Sequence, residues 1–336
     1  MPDLLHVVGR SGTGMKRAPL TGMELERSVR AQLYGEPAQV VVTGAPGLRD
    51  DPRRAGLGRV LGGRYTLVEL LGAGGMATAY RARDQRLGRE VAVKVIAAGL
   101  VQDGGAVRRF RREAELGARL IHTNIVTVLD AGVEPQDFIV MELVEGVDAG
   151  TLVRRSGRLS LHHALRIVEP ICEALQYAHD EHVIHGDVSG SNILIRQRDS
   201  APKLTDFGLA CQTGDIPDDR PGRVRGTPGH IAPELLSGAA PSARSDLYSL
   251  AAVVHRLLAG PVDSRPADPS ATVPAAAAAL RMPALAKKRP DLPRDLTDAV
   301  QKALSPDPDA RQASVAEFSA QLAGKRPAPL LLPSVA

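Results

Sequence analysis

The feature that most constrains this chain is a change in apolar periodicity close to Val144. From Tyr65 onward the segments YTLVELLGAG, MATAYRARD, REVAVKVIAA, IVTVLDAGVEP and DFIVMELV read as five strands, since β-branched and alternating apolar residues fit a half-buried pleated surface. A single helix-patterned stretch, 106–120, interrupts them with apolar residues three and four apart. Beyond Glu145-Gly146 the pattern turns helical. SLHHALRIVEPICEALQYAHDEHV is a long amphipathic run capped by Ser160 and interrupted by Pro170, and SDLYSLAAVVHRLLAG is an apolar helix opening at Ser245. NILIRQ and PKLTDFG read as short strands, LPRDLTDAVQKAL and SVAEFSAQLAG as two final helices. Strands followed by helices, not alternating with them, predict an α+β fold. A sheet-rich half joined by a short connector to a helical half predicts two lobes with a ligand cleft between them.

The expected boundaries are a flexible extension over 1–63, a sheet-rich lobe over 65–143, a helical lobe over 144–322 and a flexible tail over 323–336. Within the extension, 23–33 has helical character and AQVVVTG strand character; the Pro/Ala stretch 261–283 reads as an irregular insert whose five-Ala run has helical character. No run approaches 18 apolar residues, which predicts no membrane span. The N-terminal apolar run is too short for a secretory signal. Cys172 and Cys211 lie far apart, with neither zinc spacing nor a disulfide framework, so a reducing cytoplasm is expected. A net charge of +4 is not a nucleic-acid footprint.

Chemistry concentrates at four places. Gly72-Ala73-Gly74-Gly75-Met76-Ala77 lies between two strands, not before a helix, which disfavours a dinucleotide fingerprint. Glycines in a hairpin let backbone N–H groups approach phosphates. Lys94, in VAVK, is the only lysine between Lys16 and Lys203. On a buried strand it needs a counter-charge, and Glu113 on the following helix is the candidate. In HGDVSGSN, Asp187 and Asn192 are five residues apart, and Asp206 follows fourteen residues later in LTDFG. Two carboxylates and an amide near a glycine loop suit Mg²⁺, which takes a few protein oxygens and completes its shell with phosphate oxygens. Asp187 is then left to orient a hydroxyl and accept its proton.

Together, GAGGMATA (72–79), VAVK (91–94), Glu113, HGDVSGSN (185–192), DFG (206–208) and APE (232–234) resemble the protein kinase family, over roughly Tyr65 to Leu322. GGMATAYRARD and IVMELVEG look like bacterial serine/threonine kinases of the actinobacterial type, and GTPGHIAPE (226–234) resembles their substrate loop, with Thr227 in its usual place. The resemblance implies the two-lobed kinase fold and transfer of the γ-phosphoryl group of ATP to Ser or Thr of proteins, the chain itself included. It implies that Asp187 is the base, that Lys94 holds the phosphates and pairs with Glu113, and that Asn192 and Asp206 bind Mg²⁺. Leu71, Gly72, Ala73, Gly74, Gly75, Met76, Ala77, Thr78 and Ala79 would cover the nucleotide. Ala79, Ala92 and Leu194 would sandwich the adenine, Met141 would guard the back of its pocket, and the backbone of Glu142 and Val144 would hydrogen-bond it. Glu234–Arg311 and Asp246 would be scaffold.

The chain departs from the family pattern in three places. Ala77 stands for the third glycine, with Ala79 for the usual Val. Gly186 replaces the Arg that meets a phosphorylated activation loop, which implies that Thr213 is not an obligatory switch. Ser189 replaces the Lys that neutralises the transferring phosphoryl group. These departures leave two rivals open: a nucleotide- or partner-binding pseudokinase, and a small-molecule phosphotransferase of the aminoglycoside or choline kinase type, although the latter lacks a GTPxxxAPE segment.

Overall fold

The computed structural model describes residues 56–207, 211–212, 227, 229–261 and 282–324. The sequence readings at 1–55, Gly208, Thr213, most of the 261–283 insert, and 325–336 lie outside them.

The sheet-rich half forms one six-stranded antiparallel sheet in the order β1-β2-β3-β4-β6-β5. Its strands are β1 (Val60–Leu61), β2 (Tyr65–Ala73), β3 (Ala77–Asp84), β4 (Arg89–Ile96), β5 (Val128–Gly132) and β6 (Phe138–Glu142). The sixth strand differs from the expectation: residues 60–61 belong to the sheet, and Leu61 is fully buried. Two residues are too few to show an alternation. Along β4, Val91, Val93 and Val95 are buried in the core with Tyr65, Leu67 and Phe138. Because side chains alternate, Ala92 and Lys94 project from the opposite face. Helix α1 (Gly104–Arg119) begins at Asp103, whose carboxylate accepts from the N–H groups of Gly105 and Ala106. It lays Phe110 against Ile96 and Ile139. Glu113, three residues on, therefore shares the face that meets the sheet. Arg111 ties the helix to Asp137 at 2.6 Å.

The helical half is built from α2 (Ala149–Ser156), α3 (Leu161–Asp180), α4 (Pro233–Leu236), α5 (Ala243–Ala259), α6 (Leu285–Lys288), α7 (Arg294–Ala303) and α8 (Val315–Leu322). Helix α3 starts at the expected Ser160 cap and runs unbroken through Pro170, so the proline removes one backbone donor without ending the helix. Helix α5 starts two residues earlier than expected, on a reciprocal Ser242–Ser245 capping box. Every residue from Ser245 to His255 is buried, which makes α5 the central helix of this half. Short strands β7 (Gly146–Asp148), β9 (Ile193–Arg196) and β10 (Pro202–Leu204) form a second sheet, and β8 (Val183–Ile184) pairs with β11 (Cys211–Gln212). Gly146 is required where it is: a Cβ there would lie 1.9 Å from the Ile195 carbonyl oxygen.

The halves are stitched at the back of the cleft. Val126 N–H donates to Leu204 O at 2.8 Å, Leu204 N–H to Asn124 O at 2.7 Å, and Asn124 Nδ2 to Pro202 O at 2.8 Å. Among the described residues no helix is long and apolar enough to cross a membrane.

Candidate active site

The β2–β3 hairpin forms the roof of the cleft. Gly74 N–H closes its turn on Ala77 O at 2.9 Å, and Leu71 is 44% exposed. A Cβ added to Gly72 or Gly75 would meet nothing within 4 Å, and neither residue has a positive φ. The chain's own packing therefore does not demand glycine at these positions, whereas close approach of a ligand to the backbone does. Cross-strand pairing sets Ala79 beside Lys94, and Ala92 beside Met141, so these four side chains share the cleft face. Leu194 on β9 is half-buried between the buried Ile193 and Ile195.

Lys94 Nζ donates to Glu113 Oε1 at 2.6 Å and also contacts the Asp206 carboxylate. Burial opposes its charge, but the two carboxylates override that and hold the ammonium above the usual lysine range. Burial pushes Glu113 up despite Lys94; for Asp206 burial acts the same way, yet Lys94 wins and the pKa falls. Asp206 adopts φ +66°, a left-handed conformation rare outside glycine and typical of strained functional positions.

The loop after β8 carries Asp187. Buried Asp246, in the first turn of α5, accepts from the N–H of His185 (2.8 Å) and of Gly186 (2.9 Å), and from His179 Nε2 (2.9 Å). Gly186 has φ +78°, which glycine adopts at little cost. The Asp187 N–H donates to His185 Nδ1 at 3.2 Å, while His185 Nε2 donates to Thr205 O at 3.1 Å. The His185 ring packs on Phe207, centroids 4.5 Å apart. One histidine thus registers the Asp187 loop against the Asp206 segment. Asp187 Oδ1 accepts from Thr227 N–H at 2.8 Å; Asn192 Nδ2 donates to Asp187 O at 2.8 Å and to its Oδ2 at 3.3 Å. With its NH₂ so used, Asn192 presents only its carbonyl oxygen outward.

The site therefore gathers the carboxylates of Glu113 and Asp206 around one ammonium, with Glu113 Oε2 buried and unpartnered, while the Asp187 carboxylate is held by Thr227 and Asn192. This excess of oxygen donors and negative charge fits a divalent cation with phosphate oxygens. Ser189 adds no cation; it is fully buried and pairs with Ser191 at 2.8 Å.

The expected scaffold contacts are present. Arg311 meets Glu234 through two 2.7 Å bonds. The Glu142 amide is engaged by Thr127 O at 3.0 Å, which leaves its carbonyl, not its N–H, for a ligand. Sequence reasoning missed the Glu142 side chain, which receives buried Lys203 at 2.5 Å and the Thr127 N–H at 2.9 Å. The rarity of lysine that marks Lys94 marks Lys203 equally. The roles of His179 and His185 carry no local signal, because each depends on a partner distant in sequence.

The family model for the protein kinase domain matches residues 65–321. The chain is 37% identical over 269 residues to the serine/threonine-protein kinase PknB of Mycolicibacterium smegmatis, covering 78% of this chain and 43% of that protein. It is 34% identical to PrkC of Bacillus subtilis, covering 79% and 41%, and 37% identical to PknA of Mycobacterium tuberculosis, covering 81% and 64%. The chain thus spans about two fifths to two thirds of the length of these relatives. The crystal structure of the Mycobacterium tuberculosis PknI kinase domain superposes with a TM-score of 0.61 at 32% identity, covering 80% of this chain and 97% of that one. The contact of Lys94 with Asp206 across the two halves and a match across most of the sequence lead to one assignment: the chain belongs to the protein kinase family.

Proposed function

We propose that this chain is a serine/threonine protein kinase whose catalytic domain occupies 65–322, with lobes 65–143 and 144–322, and whose acceptors are protein hydroxyls, its own included. The observation that carries the reading is the convergence of Lys94, Glu113 and Asp206, contributed by both halves of the fold, beside Asp187 and Asn192. Bound ATP would supply the phosphoryl group, and Mg²⁺ held by Asn192 and Asp206 would neutralise part of its charge.

The chain's own residues do the rest. The 71–79 hairpin offers backbone N–H groups to phosphate oxygens, and Lys94, oriented by Glu113, adds a fixed positive charge. Asn192 and Asp206 hold the metal through oxygen. Ala79, Ala92 and Leu194 enclose the adenine, Met141 limits its depth, and the Glu142 carbonyl and Val144 backbone orient it. Asp187, fixed by Thr227 and Asn192, orients the acceptor hydroxyl and takes its proton. Catalysis is then mainly positioning and charge stabilisation. Gly186 removes one cation that a phosphorylated loop needs, which supports activity without phosphorylation of Thr213. The free, buried thiol of Cys172 supports the reducing cytoplasm as its compartment.

The test is transfer of label from γ-labelled ATP to protein. Wild-type chain transfers label, and Asp187→Ala loses about 10²–10⁴ in rate while retaining its circular dichroism spectrum. Label that appears only on small alcohols or aminoglycosides, or nucleotide binding without any transfer, overturns the reading.

A further inference from the structure

Arg256 differs from three other partly or fully buried arginines of this fold. Arg64, Arg289 and Arg311 each hold a carboxylate, from Asp84, Asp291 and Glu234 respectively. Among the described residues Arg256 has none. Its Nε is buried without a partner, and its Nη2 reaches only the Gly229 carbonyl, at 3.4 Å. Burial is the sole influence on its pKa, which is lowered. Withdrawing a cation from water without pairing it is costly. The side chain is nevertheless half-buried, not sealed, so an anion from outside can reach it.

Its position says which anion. Ser249 and Arg256 are seven residues apart on α5, hence two turns along one face. Ser249 Oγ donates to His230 O at 2.7 Å, and Arg256 meets Gly229, so residues 229–230 run along this face. Gly229 has φ +82°, and a Cβ there would lie 2.1 Å from Arg256 Nη2; glycine makes room for the guanidinium. Two residues earlier, Thr227 N–H binds Asp187 Oδ1. From Thr227 N to Gly229 O the chain crosses three residues, at most about 11 Å. With the contacts of 2.8 Å and 3.4 Å at its ends, the guanidinium stands within roughly 17 Å of the Asp187 carboxylate, about four residues of extended peptide plus the reach of an acidic side chain.

We propose that Arg256 is a specificity-determining residue that selects acceptor sequences carrying Asp or Glu within about four residues of the phosphorylated Ser or Thr. The proposal rests on the kinase reading above. The carboxylate of the acceptor provides the counter-charge that none of the described residues supplies.

The test uses the full chain and peptides with one Ser or Thr in an Ala/Gly background, with Glu, Ala or Lys placed in turn at each of four positions on either side. Wild type favours Glu over Ala by about tenfold in kcat/KM at one position or more, the scale of a charge-assisted bond at a partly exposed site. Arg256→Met brings that ratio close to one, and Arg256→Glu favours Lys instead. The wild-type profile alone tests the idea should either variant fold poorly. Efficient transfer with no preference for Glu, or an acid preference that survives Arg256→Met, overturns this proposal and leaves the kinase reading standing. No transfer to any acceptor, the chain itself included, removes both.

Discussion

Asp246→Asn separates positioning of the catalytic loop from nucleotide binding. The carboxylate is 1% exposed and accepts two backbone donors, His185 N–H and Gly186 N–H, one on each oxygen. An amide offers a single acceptor oxygen. Turned one way, its NH₂ faces the Gly186 N–H; turned the other, it faces both the His185 N–H and His179 Nε2, so at least one charge-assisted bond is lost and one buried donor is stranded. That costs about 2–3 kcal/mol, well within the stability of an ordinary domain. The left-handed turn at Gly186 then loses an anchor one residue before Asp187. A misplacement of about 1 Å at a catalytic group costs roughly 10²-fold in rate. Lys94, Glu113 and the 71–79 hairpin lie on the other lobe and do not touch Asp246, so the KM for ATP stays within about twofold. The assay is steady-state transfer to a protein acceptor, with urea unfolding in parallel. A rise in KM(ATP) matching the fall in kcat, or an unchanged kcat, refutes this account of the loop.

Three other outcomes follow from the same geometry. Lys94→Met leaves the Glu113 carboxylate, 6% exposed, without its cation, and lowers stability by about 3–5 kcal/mol as transfer is lost; adding Glu113→Leu restores most of the stability in urea but none of the transfer. Gly146→Ala forces a methyl group against the Ile195 backbone and costs about 1–3 kcal/mol or more, read as a lower urea midpoint. Arg64 and Arg289 hold the carboxyls of Asp84 and Asp291 down to about 2 by hydrogen bonding. Because these folded-state values lie below the unfolded 3.8, their stabilisation is complete above about pH 4 and is lost as pH falls towards 2. Acid unfolding monitored by circular dichroism should be shallower over that window in Asp84→Asn, and an identical slope contradicts the assignment.

Where local pattern decides structure, the sequence was readable. β4 shows its core face as Val91, Val93 and Val95, and the helix over 161–180 shows its Ser160 cap, whereas the helix over 243–259 is capped by Ser242 and not, as expected, opened by Ser245. The two residues of β1, the three of β7 and the eight of α2 escaped notice because each is shorter than the window in which a period can be seen. Pro170 misleads in the other direction, since tertiary packing of α3 outweighs one missing donor. The same division holds at the site. Residue type and spacing mark Lys94, Glu113, Asp187, Asn192 and Asp206, because the chemistry itself demands those side chains. His179, His185, Lys203 and Arg256 act through partners 20 to 67 residues away, and no local pattern encodes such an approach.

The central claim is that groups from both lobes close on one metal-chelated triphosphate. Calorimetric titration with a non-hydrolysable ATP analogue, with and without Mg²⁺, tests it most directly. The account predicts that Mg²⁺ tightens binding at least about tenfold in the wild-type chain, one charge-assisted contact's worth, and that Asp206→Asn abolishes this gain. Equal affinity with and without the metal, or a gain that survives Asp206→Asn, contradicts it.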